Sequence, residues 1–113
     1  MLAYVISGTV KDAAAFRELA TDLSARVEAD EPGTEAYQWF LSEDEGSAML
    51  YEQYADSDAL LAHFGNVRDA MGRFVASLDV TGVFAFGDLD DAARAALDGL
   101  GAVYAGQVAG FMR

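Results

Sequence analysis

The chain has 113 residues, of which 53% are hydrophobic and one is proline, with no cysteine and a formal net charge of −12. That length fits a single domain, 1–113, able to bury a core without disulfide or metal staples. The acid excess excludes the basic face of a nucleic-acid-binding protein and disfavours an anionic membrane surface. The lack of cysteine removes disulfides, thiolate metal sites and cysteine nucleophiles.

Leu2 to Thr9 reads as a strand centred on Tyr4, Val5 and Ile6. The start has no basic leader, and its apolar run is too short to span a bilayer, so the expected location is the cytoplasm. Asp12 is placed to cap a helix that opens with Ala13 to Ala15. Phe16, Leu19, Ala20, Leu23 and Val27 recur at helical spacing, with Arg17, Glu18, Asp22 and Glu28 on the other face. Glu31-Pro32-Gly33 stops that helix, because proline restricts its predecessor and glycine tolerates positive φ.

Two β-rich runs follow, Thr34 to Ser42 and Ala48 to Tyr54, separated by a polar turn that calls for an antiparallel hairpin. A four-residue turn, Glu43 to Gly46, would pair Trp39 with Leu50 and Tyr37 with Glu52. A turn one residue different would bring Tyr51 onto the Trp39 face instead. Asp56 or Ser57 caps the next helix, whose stripe is Leu60, Phe64, Val67, Met71 and Phe74. Gly65-Asn66 is expected to break the stripe into two helices, with Asn66 recapping the second. Asp79 to Gly87 reads as another strand, Asp88 to Asp90 as the cap of a short Ala-rich helix, and Ala102 to Phe111 as a last strand.

The order β-α-β-β-α(α)-β-α-β fits an α+β fold, a split βαβ plan with an antiparallel sheet and helices on one face. Residues 1–87 form its core and residues 88–113 a helix–strand extension. The bare sheet face would carry residues such as Phe40, Tyr51 or Phe84, which is more apolar area than a monomer normally exposes. A homodimer is therefore expected.

His63 is the only histidine and lies at the edge of the apolar stripe. It reads either as a general base or hydrogen-bond donor facing a pocket, or as a helix-edge ring with a wetted tip. Tyr37 and Trp39 alternate onto one hairpin face and serve as core or as ligand walls, and Tyr51 joins them only in the alternative register. Glu52 reads as an interface residue paired with Arg or Tyr of a partner, in preference to a catalytic carboxylate. Asn66 reads as a helix cap or as a group that orients a ligand hydroxyl. One His without Cys builds no usual zinc site, and no phosphate-binding loop, dinucleotide fingerprint or nucleophile elbow is present. No cofactor is expected.

The segments EPGTEAYQWFLSEDEG and LYEQYADSDALLAHF resemble the antibiotic biosynthesis monooxygenase family. The similarity runs from Leu2 to Gly87 and is carried by Glu31-Pro32-Gly33, by Tyr51-Glu52 before Tyr54-x-Asp56, and by Ala62-His63. The tail from Asp88 to Arg113, closing in GFMR, resembles an extension found in some relatives. The resemblance implies a ferredoxin-like chain that forms a dimeric α/β barrel. It also implies the oxidation of a small aromatic phenol, a quinol or a polyketide-like substrate by O2 without a cofactor. His63 would be the base or donor, Tyr37, Trp39 and Tyr51 the pocket walls, and Asn66 a positioning residue. The family also holds haem-degrading members, but these pair a proximal His with an Asn on the first strand, where this chain has Ser7. A ligand-binding dimer without catalysis is the alternative from a different class.

Overall fold

The computed structural model describes residues 1–113. Its elements are β1 (Leu2–Val10), α1 (Ala13–Asp30), β2 (Thr34–Leu41), β3 (Ser47–Tyr54), α2 (Ser57–Asn66), a 3-10 turn (Arg68–Ala70), α3 (Met71–Ser77), β4 (Leu78–Gly87), α4 (Asp91–Asp98) and β5 (Val103–Tyr104). The strands form one sheet in the order β2-β3-β1-β4-β5. β3 lies antiparallel between β1 and β2, and β4 pairs antiparallel with the other edge of β1. This is the expected ferredoxin-like α+β arrangement, with β5 added parallel to β4.

The caps are those the sequence announces. Asp12, Asp56 and Asp90 each accept a backbone N–H three residues on, which satisfies one of the donors a helix start leaves open. In the hairpin, Asp44 accepts from Ser42 and from the Gly46 amide, fixing the turn. The register pairs Trp39 with Leu50 and Tyr37 with Glu52, so the four-residue turn is the one adopted. Tyr51 pairs with Gln38 and faces away from Trp39.

Strand alternation then gives the sheet two unlike faces. Toward the helices it sends Leu2, Tyr4, Ile6, Leu50, Tyr54, Val83 and Ala85, which pack with Phe16, Leu60, Ala93 and Leu97. A second cluster joins Leu19, Leu23 and Val27 of α1 to Val67 and Ala70. The other face has no helix over it. Phe40, Met49, Phe84 and Val103 are exposed there, Phe84 by 55%.

Two expected elements differ. The break in the apolar stripe falls at Val67 to Ala70 rather than at Gly65-Asn66, and Asn66 ends α2 instead of capping the next helix. Its side chain is drawn elsewhere, as shown below. The last strand is only Val103–Tyr104, after which residues 105–113 lie exposed. The small residues Ala105, Gly106, Ala109 and Gly110 offer little to bury, and Gly110 takes a positive φ of 114° that breaks an extended run.

β1 and β4 slip register between Ser7 and Gly8, and there the backbones come close: a Cβ on Gly8 would sit 2.7 Å from the Asp79 carbonyl oxygen. Backbone cannot yield as a side-chain tip can. Gly8→Val is therefore expected to cost about 1–3 kcal/mol through overpacking, read as a lower midpoint in chemical denaturation. A midpoint equal to the wild type would show that the strands relax freely at the bulge.

Candidate functional site

Between the helix-bearing face of the sheet and the α2–α3 segment lies a cavity of about 290 Å³. Its walls include Tyr4, Ile6, Tyr37, Trp39, Leu50 and Glu52 from the sheet, and Leu23, His63, Phe64, Val67, Met71 and Phe74 from the helices. Leu100, from the turn after α4, adds a wall from the C-terminal extension. Eleven of the fourteen lining residues are hydrophobic. That is the small end of the usual size range for ligand sites and the usual chemistry, an apolar chamber with a few convergent polar groups.

Those polar groups are organised around His63. Helix α2 carries the ring inward, where it is 3% exposed, and three aromatic rings surround it. Tyr37 meets it at 5.2 Å between centroids, Tyr54 at 5.4 Å and Phe64 at 6.2 Å. Nε2 lies 3.1 Å from Oε1 of Glu52, on β3. Nδ1 lies 2.9 Å from Oε1 and 3.1 Å from Oε2 of Glu31, just past the end of α1. Both carboxylates are themselves buried, Glu31 7% and Glu52 3% exposed.

Each carboxylate is held from other directions as well. Glu52 Oε1 also accepts the hydroxyls of Tyr4 at 2.8 Å and Tyr54 at 2.7 Å. Glu31 accepts from the Thr34 hydroxyl and from the Asn66 amide, both at 2.7 Å. Glu52 Oε2 has no partner within the chain. Glu52 is also one of the residues that line the cavity.

The electrostatics follow from this packing. Burial pulls the His63 pKa down, but the hydrogen bonds and negative charges of Glu52 and Glu31 overcome it and hold the pKa above the ordinary histidine value. Burial, and then the charge of Glu52, pushes the hydroxyls of Tyr4, Tyr37 and Tyr54 well above the usual tyrosine range. All three therefore stay protonated, and Tyr4 and Tyr54 serve Glu52 as donors. The imidazole lies between its two carboxylates rather than beside them, so the three side chains do not converge on one point as metal ligands do. Neither ring nitrogen is free to ligate haem iron.

Of the residues singled out from sequence, the structure brings His63, Tyr37 and Trp39 to the cavity and leaves two away from it. Tyr51 is on the opposite sheet face, where its hydroxyl donates to Gln53, because the hairpin adopts the register that turns it outward. Asn66 is behind the ring, holding Glu31 rather than a ligand. The helix-edge reading of His63 fails too, since both nitrogens are engaged inside the chain. Glu52 pairs with Tyr4, Tyr54 and His63 of its own chain, not with a partner across an interface. The sequence did carry a sign of this: Glu52 alternates with Leu50 and Tyr54, so it shares their inward face. Glu31 gave no such sign, because a carboxylate before Pro-Gly reads as a helix end and nothing more.

A family model for antibiotic biosynthesis monooxygenases matches residues 5–77. No curated protein sequence matches the chain. Among solved structures, MupZ from Pseudomonas fluorescens is similar over 99% of this chain and 93% of its own, at 16% identity and a TM-score of 0.85. A Caulobacter crescentus structure named for the antibiotic biosynthesis monooxygenases is 28% identical over 74% of this chain and 84% of its own, with a TM-score of 0.60. SnoaB from Streptomyces nogalater, a cofactor-independent oxygenase, is 19% identical over 79% of this chain and 93% of its own, with a TM-score of 0.63. MupZ thus shares the fold over nearly the whole chain, the C-terminal extension included. The matched segment holds Glu31, Glu52 and His63 and spans well over half of the chain, which belongs to the antibiotic biosynthesis monooxygenase family.

Proposed function

We propose that the protein is a cofactor-independent monooxygenase that oxidises a small aromatic phenol, a quinol or a polyketide-like substrate in the cavity beside His63. The observation that carries this reading is an apolar, aromatic-walled chamber in which the Glu52 carboxylate stands 3.1 Å from the imidazole of His63. Triplet oxygen reacts slowly with closed-shell organic molecules unless they are electron-rich. Removing a phenol's proton makes the ring a far better electron donor, and apolar walls keep water from quenching the anion.

In this reading Glu52 Oε2 accepts the phenolic proton. His63, positive and fixed by Glu31, stabilises the developing phenolate through the field of a buried cation. Tyr37 and Trp39 flank the ring of the substrate. The overall step balances without a reductant: phenol plus O2 gives quinone plus water, with one oxygen atom entering the ring and the other leaving with the displaced hydrogens. His63 thus acts as part of a pair with Glu52, not as a lone base.

The exposed row of Phe40, Met49, Phe84 and Val103 supports a homodimer through the bare sheet face. Phe84→Glu, on that face beside Val5 and Val103, is expected to convert a dimer to a monomer by light scattering. A wild-type protein that already runs as a monomer would refute the assembly.

Catalysis is tested by oxygen uptake with a panel of phenols and quinols. Uptake with the wild type is expected to fall roughly 10²–10⁴-fold in Glu52→Gln and in His63→Gln, with the fold checked by circular dichroism. Tight binding of a phenol without uptake would favour a ligand-binding dimer instead, and a Soret band on titration with haemin would favour a haem protein.

The ion pair also predicts a pH dependence of stability. The folded His63 pKa lies above the unfolded value of about 6.5, so its stabilisation is complete below that pH. It is lost as pH rises through the folded pKa. The denaturation midpoint should therefore fall on the alkaline side of about pH 6.5, and His63→Gln should flatten that fall. An equal slope in both proteins would assign the effect to other groups.

A further inference from the structure

The Glu52–His63–Glu31 line does more than brace a ring, because its two ends open into different places. Glu52 and His63 line the apolar cavity, whereas Glu31 lines a separate, polar cleft with Ser24, Glu28, Thr34 and Glu35. The imidazole is the link between them, 3.1 Å from one carboxylate and 2.9 Å from the other. We propose that this line is a proton relay, in which a proton deposited on Glu52 from inside the cavity expels one from His63 through Glu31 into the polar cleft.

The inference rests on the reading of the cavity as a phenol site, and its physical need arises there. A substrate filling an apolar chamber blocks its mouth, so a proton left on Glu52 has few acceptors within reach. The hydroxyls of Tyr4 and Tyr54 already donate to Glu52 and do not take a second proton. Tyr37 borders both spaces but stays protonated for the reason given above. Arg68 lines the cavity and Arg26 binds Asp69 and the Asn66 carbonyl, and both guanidiniums are permanently charged. That leaves the His63 imidazolium, which takes no proton from Glu52 but can answer its arrival by giving up its own.

The proton count closes without passing one proton hand to hand. When Glu52 takes a proton at Oε2 it becomes neutral, and His63 loses the anion that held Nε2–H. The imidazolium then gives its Nδ1 proton to Glu31, which releases it into the cleft toward Glu28 and Glu35. One proton enters at Glu52 and one leaves at Glu31, with no electrons moved. When Glu52 gives its proton to the reduced oxygen leaving as water, Glu31 takes one back from the cleft and returns it to Nδ1 of His63, so a full cycle releases no net proton. Glu31 is thus a positioning and proton-releasing residue that never touches substrate. Thr34 and Asn66 hold it in line.

The test uses the full chain and 4-nitrophenol, whose phenolate absorbs visibly, in weakly buffered solution with a pH-sensitive dye too large for the cavity. In stopped flow the wild type is expected to show bound phenolate and a proton in bulk solution together. Glu31→Gln keeps the shape of Glu31 and one accepting oxygen for Thr34 and His63, loses the bond from the Asn66 amide, and cannot pass a proton. It should still form phenolate, while bulk release slows by roughly tenfold or more. Release at the wild-type rate in Glu31→Gln would overturn the relay. Failure of 4-nitrophenol to bind at all would instead count against the phenol site, and a ligand-free measurement then decides the relay by itself. His63 is the only histidine, so its Nδ1–H gives a single unambiguous NMR signal. The relay predicts slower exchange of that proton with solvent in Glu31→Gln. A ring merely clamped by Glu31 would exchange faster once loosened, which would overturn it.

Discussion

The structure turns on one imidazole held between two buried carboxylates. Placing charges in an apolar interior is costly, and the cost is offset only when each charge has close partners of opposite sign or good hydrogen-bond geometry. Here the partners come from four elements. Glu31 sits at the end of α1, Glu52 and Tyr54 on β3, Tyr4 on β1, and His63 on α2. Removing one partner of a buried pair generally costs about 3–5 kcal/mol, because the other charge is left stranded. The end of α1, the centre of the sheet and the middle of α2 are therefore fixed relative to one another by a polar interaction as well as by packing. The cavity is formed where those three meet.

The same constraint explains the division of the sheet. Strand alternation gives every other residue to the helical side, and on β3 that side holds Ala48, Leu50, Glu52 and Tyr54. A carboxylate in such a row survives only because Tyr4, Tyr54 and His63 converge on it. The residues between them, Met49, Tyr51 and Gln53, belong to the bare side. One register thus decides both which groups reach the cavity and which apolar side chains are left for a second surface. A slip of one residue would exchange Glu52 for Tyr51 and dismantle the charge array.

Much of the fold was legible from local patterns. The three aspartate caps, the helical stripe of α1, the Pro-Gly stop and the hairpin each depend on neighbours within a few residues, so the sequence reads them directly. The last strand was overread, because its apolar residues fit a strand pattern while its glycines and alanines supply too little burial to hold nine or more residues on an edge. The site was legible only in part. His63, Tyr37 and Trp39 stood out by residue type and spacing. Tyr51 and Asn66 stood out for the same reasons and lie elsewhere, since residue type says nothing about which way a side chain turns.

By itself the sequence determined the order of elements, their caps and stops, and the two sets of strand residues that must face opposite ways. These follow from period, propensity and turn chemistry, which act over short stretches of chain. Only the tertiary structure decided which register the hairpin takes, and that Glu31, Glu52 and His63 meet although they stand 32 and 11 residues from the imidazole in the chain. Such a meeting depends on where α1 ends above the sheet and on how α2 is rotated against it. Both are set by packing across the whole core rather than by any local run of residues.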